Sequence, residues 1–113
     1  MLVEALVGKK VVGASAGENH TAAWTDEGEL FTFGYGSRGQ LGHGGTQNES
    51  VPRLVEVLAG NKVVGAAAGK HYTAVWTDAG ELFTFGYGDR GRLGHGGQEN
   101  EHVPRLVEAL TEV

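Results

Sequence analysis

The chain has 113 residues, with 14 acidic and 9 basic side chains and a net charge of -5, the wrong sign for holding a phosphate backbone through counterion release. It has no cysteine, which excludes a disulfide framework, a thiolate nucleophile and a cysteine-ligated metal. No segment approaches the ~20 apolar residues that cross a bilayer, and the N-terminus lacks the basic-then-apolar pattern of a secretory leader. The expected protein is soluble, cytoplasmic by default, with neither nucleic acid nor membrane as a partner.

The chain opens on Leu2, Val3, Glu4, Ala5 and Leu6, an apolar segment that returns at 54–58 and again at 106–110. Val11, Val12 and Gly13 lead into a run of alanine, serine and glycine up to Gly17. Side chains this small suit a strand that other backbones approach closely. The stretch 20–26 reads as a second strand with His20, Ala22 and Trp24 on one face and the threonines on the other. Asp26, Glu27 and Gly28 supply a tight hairpin turn. A third strand spans 29–35, with Phe31, Phe33 and Tyr35 on one face and Leu30 and Thr32 on the other. The glycine-rich stretch 36–50 is expected to be a loop, because each glycine costs about 1 kcal/mol relative to alanine in a helix interior. Val51, Pro52 and Arg53 then fit an edge strand, since proline withholds a ladder donor.

All of this happens twice. Trp24 and Trp76, Asp26 and Asp78, His43 and His95, and Pro52 and Pro104 each stand 52 residues apart, and 38 of 52 aligned positions are identical while 14 differ. Such similarity points to recent duplication or deliberate design. The repeats run 2–53 and 54–105, leaving 106–113 as the start of a third frame, a closing strand. A unit of about four short strands at a period near 50 is the signature of a β-propeller blade.

The run Glu-Leu-Phe-Thr-Phe-Gly-Tyr-Gly-x-Arg-Gly-x-Leu-Gly-His-Gly, then Val-Pro-Arg-Leu-Val-Glu, then Val-Val-Gly-Ala-x-Ala-Gly, resembles the repeat of the regulator of chromosome condensation family over essentially the whole chain. The resemblance implies four-stranded blades, ordinarily seven to a ring, used as protein-interaction platforms. The family's founding member is a nucleotide-exchange factor for the GTPase Ran that also binds chromatin, and another branch senses ultraviolet-B light through tryptophan clusters. The light-sensing motif Gly-Trp-Arg-His-Thr is replaced here by Gly17, Glu18, Asn19, His20, Thr21 and by Gly69, Lys70, His71, Tyr72, Thr73. Neither of those activities carries over, because family supports fold and not chemistry.

Gly34, Gly36 and Gly39 formally match the dinucleotide fingerprint, yet Gln40 to Gly45 cannot open the helix whose amides would face a pyrophosphate. The structural alternative, glycines that turn the chain with Leu41 and Leu93 anchoring the loop, is preferred. Arg38, His43, Arg90 and His95 are read as loop-fixing residues, the arginines by satisfying buried carbonyls and the histidines by hydrogen bonding, and Arg53 and Arg105 invite the same reading. Trp24, Phe31, Phe33, Trp76, Phe83 and Phe85 are the candidate blade-interface residues. No catalytic, cofactor or metal site is expected, and the chain is read as non-enzymatic.

The expected fold is therefore all-β: two four-stranded antiparallel propeller blades that complete a ring by homo-oligomerisation. Two blades alone would leave large apolar faces in water. Head-to-tail association of three or four chains would close six or eight blades, with 106–110 seated and the residues near Met1 loose. The alternative is a fragment of a regulatory adaptor or a small-GTPase exchange factor whose protein partner binds the variable loops near 18–20, 46–50, 70–72 and 98–102.

Overall fold

A computed structural model describes residues 6–88, 93 and 100–107. It contains eight strands in two separate four-stranded antiparallel sheets. The first holds β1 (Val11–Ala16), β2 (His20–Thr25), β3 (Leu30–Gly34) and β4 (Glu49–Leu54) in simple sequential order. The second repeats the pattern with β5 (Val63–Ala68), β6 (Tyr72–Thr77), β7 (Leu82–Gly86) and β8 (Glu101–Leu106). The shortest dimension, 19 Å, is what two sheets about 10 Å apart produce.

Local chemistry sets each sheet. The β2–β3 turn is closed by Gly28 N–H donating to the Thr25 carbonyl at 3.0 Å, with Gly28 at φ 87. This is a three-residue hairpin whose last position must be left-handed, which glycine adopts without a Cβ penalty. The register of β1 on β2 shifts between Val11 and Gly13. A Cβ on Gly13 would run into the Trp24 indole, and the Gly65–Trp76 pair repeats this. Each bulge thus gives the indole a bare patch of backbone to lie on.

The side-chain alternation expected from the sequence holds. Ala22, Trp24, Leu30 and Thr32 face the second sheet, while Ala23, Phe31 and Phe33 face away, because cross-strand partners such as Ala23 and Phe31 share a side. From the second sheet Val63, Ala66, Val75, Phe83 and Phe85 meet them. The proline-bearing segments are outer strands, as expected. The Leu-Val-Glu-x-Leu segment is only partly a strand, however. Leu54 ends β4, Val55 N–H donates to the Leu30 carbonyl at 2.9 Å, and Glu56–Leu58 form a 3-10 turn that drops Leu58 into the core. At the N-terminus Lys9 N–H bonds the Leu6 carbonyl at 3.0 Å, as Asn61 N–H bonds that of Leu58 at 2.9 Å. Of the segments 2–6 and 106–110, expected to compete for a strand, most lies outside the described residues; within them Leu106 ends β8.

Candidate functional site

The site of interest is the junction between the blades. Its core is Ala22 and Leu30 of the first blade, Val63, Ala66, Val75 and Phe85 of the second, and Val55 and Leu58 from the connection, with Trp24 and Phe83 packed alongside. Of the six aromatic interface candidates, Trp24, Phe83 and Phe85 lie here. Phe31 and Phe33 face outward from blade 1, and Trp76 faces outward from blade 2, where it is 42% exposed.

The glycine loop of blade 1 lies across blade 2 and clasps it. Gly39, Gly42 and Gly44 have φ of 81, 79 and 92, and a Cβ on Gly42 would meet the Phe85 ring at 2.8 Å. Gly44 N–H donates to the His102 carbonyl at 2.9 Å on the far blade. No helix follows Gly39, so the amide cradle of a dinucleotide site is not formed.

Polar contacts tie the loops and the junction. The Thr32 hydroxyl donates to the Leu41 carbonyl at 2.6 Å and so accepts from His43 Nε2–H, 2.9 Å away, which fixes that tautomer. The Thr84 hydroxyl contacts the Leu93 carbonyl likewise at 2.6 Å. Between blades, the Thr73 hydroxyl donates to the Gln40 carbonyl at 2.7 Å and accepts from His20 Nε2–H at 2.9 Å. The Ser15 hydroxyl accepts from Ala68 N–H at 3.0 Å. Burial pushes the His20 imidazolium pKa down, a nearby His71 adds to this, and a backbone contact at Tyr72 opposes it. His43 is also pushed down, first by burial and then by the Arg53 charge.

The Arg38 guanidinium stacks 4.4 Å from the Tyr87 ring centroid of blade 2, a cation–π contact between the blades. Arg53 likewise pairs with Glu49 at 2.7 Å on the surface. The Arg38–Tyr87 contact could not be foreseen, because nothing local to the loop announces which ring the next repeat presents. Leu41 and Leu93 are both 2% exposed. Arg90 and His95 lie outside the described residues.

The residues overlooked in the sequence are Thr73, Gln40, Ser15 and Tyr87. A threonine at the same place in both repeats was the available signal for Thr73. Gln40, wholly buried, had none, since its counterpart is Arg92.

The sequence matches the pattern described as the regulator of chromosome condensation (RCC1) repeat over residues 27–76 and 79–113, and a second form of that repeat over 11–40. It is 41% identical over 111 residues to the human E3 ubiquitin-protein ligase HERC2, covering 96% of this chain but 2% of that protein. The structure of human WBSCR16 superposes with a TM-score of 0.78 at 33% identity, over 89% of this chain and 27% of that one. Prp20p of Saccharomyces cerevisiae superposes with a TM-score of 0.80 over 89% of this chain and 26% of its own, and its 20% identity speaks to fold alone.

Proposed function

The chain belongs to the regulator of chromosome condensation (RCC1) repeat family, and from that membership we propose that it is a non-enzymatic interaction module whose two blades join copies of themselves head-to-tail into a closed propeller. One observation carries this reading. At most positions each open face repeats the half-junction it lacks. Ala74, Trp76, Leu82 and Thr84 on the outer face of blade 2 repeat Ala22, Trp24, Leu30 and Thr32 of the closed junction. Val11, Ala14, Thr21, Phe31 and Phe33 on the outer face of blade 1 repeat Val63, Ala66, Thr73, Phe83 and Phe85. A heterologous contact of this kind closes when the rotation per chain divides the circle, here with three or four chains giving six or eight blades. In this reading the repeats 2–53 and 54–105 are the blades, 106–113 starts the closing segment, and Arg38, Leu41, His43, Arg90, Leu93 and His95 hold the loops. Native mass spectrometry over a range of concentrations tests it: a discrete species of three or four chains is expected, and a stable monomer throughout overturns it.

A second reading rests on a different observation. Thr46, Gln47, Ser50 and His102 are exposed and are among the positions where the blades differ, and a cavity of about 380 Å³ beside them is lined by His43, Glu49 and Arg53. Such a rim suits a protein partner that distinguishes blades, as in an adaptor or exchange factor; Prp20p is described as binding Gsp1p and histones. A nucleotide-release assay with a small GTPase separates this reading from the first.

A further inference from the structure

The polar ties of the closed junction do not all have counterparts on the open faces. The Gly44 amide and the His102 and Gln40 carbonyls are backbone groups, which a change of side chain does not remove. The Thr73 hydroxyl has its counterpart in Thr21, and Tyr72 stands at the His20 position with a phenolic O–H that can also donate. The Ser15 hydroxyl has none. It accepts from the Ala68 amide at 3.0 Å across the junction, and its counterpart in blade 2 is Ala67, whose methyl offers no acceptor. Strand register is the same at both places, with Ser15 opposite Ala22 and Ala67 opposite Ala74.

The amide on the receiving side is kept. Gly17 N–H donates to the His20 carbonyl at 2.7 Å, as Gly69 N–H donates to that of Tyr72 at 2.9 Å. Successive amides of a strand point opposite ways, so Ala16 N–H projects from the edge of β1 that faces away from β2. Ala68 N–H projects in the same way from β5, where Ser15 meets it. The strand ends run close together at the closed junction, since a Cβ on Gly17 would collide with the Gly69 carbonyl.

We propose, resting on the self-assembly reading, that Ala67 holds down the affinity between copies: the joint between copies lacks the amide tie that Ser15 supplies to the joint within the chain. The occupant of the open face of blade 1 is blade 2 of a second copy, which repeats at Ala74, Trp76 and Leu82 the Ala22, Trp24 and Leu30 that cover β5 in the closed junction. Charge favours the same order. Lys70 and Glu18 lie 3.9 Å apart across the closed junction. Head-to-tail joining repeats that acid–base neighbour at every junction, whereas mating two blade 1 faces would set Glu18 beside Glu18. Apolar burial between copies then follows the pattern inside one chain, but Ala16 N–H enters the joint with no hydroxyl to receive it, which weakens the joint.

The test moves the tie, on the full chain, and reads the concentration of half-assembly by native mass spectrometry. Ala67→Ser supplies the missing acceptor and is expected to lower that concentration about fivefold. Ala67→Val adds bulk without an acceptor and should not lower it. Ser15→Ala removes the tie within the chain and should lower the urea midpoint of dilute protein at unchanged slope. The swap, Ser15→Ala with Ala67→Ser, should show both the lower midpoint and the tighter assembly. A wild type that stays monomeric overturns self-assembly itself. A wild type that assembles, with Ala67→Ser no tighter than wild type, leaves self-assembly standing and overturns the role of Ala67. Should Ala67→Ser not fold, Ser15→Ala decides: a urea midpoint equal to that of wild type would show that the hydroxyl carries no tie worth transferring, and overturns the proposal as well.

Discussion

Phe33 and Phe85 occupy the same place in their repeats, each opposite a threonine of the neighbouring strand. Phe85 is 0% exposed, while Phe33 is only half-buried. Val63 at 1% and Val11 at 41% differ in the same sense. On the opposite faces the order reverses: Leu30 is buried where Leu82 is half-buried, and Trp24 is more covered than Trp76. Local sequence and strand register match in every pair, so the difference comes from the neighbouring blade alone. In a repeat array a residue's energetic weight is set by the unit beside it.

That comparison breaks most readily at the phenylalanines. Phe85→Ala removes a fully buried ring and should cost about 3–5 kcal/mol, read as a lower urea midpoint at unchanged slope. Phe33→Ala in dilute protein should cost no more than about 1 kcal/mol, in proportion to the smaller area it covers. Raising the concentration should narrow the gap if a second copy covers blade 1. Equal costs in the dilute chain would mean that the neighbouring blade does not decide burial.

The next contrast is polar. Thr73→Val leaves the His20 Nε2–H without its acceptor and the Gln40 carbonyl without its donor, at a cost of about 1–3 kcal/mol. Thr21→Val, on the open face, should be close to neutral in the dilute chain. A Thr21 variant as damaging as the Thr73 variant would point to an internal role for that hydroxyl.

What the sequence revealed, and what it withheld, follows the same division. The period-two alternation of Trp24 against Thr25 and of Phe31 against Thr32 was legible because a strand places neighbours on opposite faces whatever lies beyond. The hairpin at Gly28 was legible because it is local. Which face meets which was not, since both faces of each blade are apolar. The contacts of Thr73 with Gln40 and His20 join residues 33 and 53 apart, so no window of sequence contains them. The stacking of Arg38 on Tyr87 was hidden for the same reason, since the ring lies in the next repeat. The Leu-Val-Glu segment was read as a closing strand, although in the copy at 54–58 only Leu54 lies in the strand and Glu56–Leu58 turn to plug the gap between sheets.

A smaller contrast is in pH. His20 and His43 both have pKa values lowered from 6.5, chiefly by burial. An unfolded chain binds protons at these sites more readily than the folded one, so their neutral forms stabilise the fold fully above the ordinary histidine range. That stability is lost as pH falls below about 6.5 and through the lowered folded values. The urea midpoint should therefore drop between pH 7 and pH 5. At the equivalent place in blade 2 stands Tyr72 in place of a histidine. His20→Gln should make the profile shallower, and an unchanged slope would remove His20 from the account.

The smallest expected effect is the one where the blades should not differ. Arg53 and Glu49 on β4 and Arg105 and Glu101 on β8 form ion pairs of 2.7 Å each, with side-chain exposures of 49%/23% and 50%/18%. Both sit on the outermost strands, and the presence or absence of an adjoining blade leaves their exposure nearly the same. Glu49→Gln and Glu101→Gln should therefore each cost about 0.2–1 kcal/mol, as solvated pairs do, and 1 M salt, with a Debye length of about 3 Å, should shrink both costs together. Double-mutant cycles with Arg53→Met and Arg105→Met measure the two coupling energies directly. A Glu49 coupling clearly larger than that of Glu101 would mean that the junction's influence reaches the outer strand, and that the division between closed and open faces is not confined to the inner three strands of each blade.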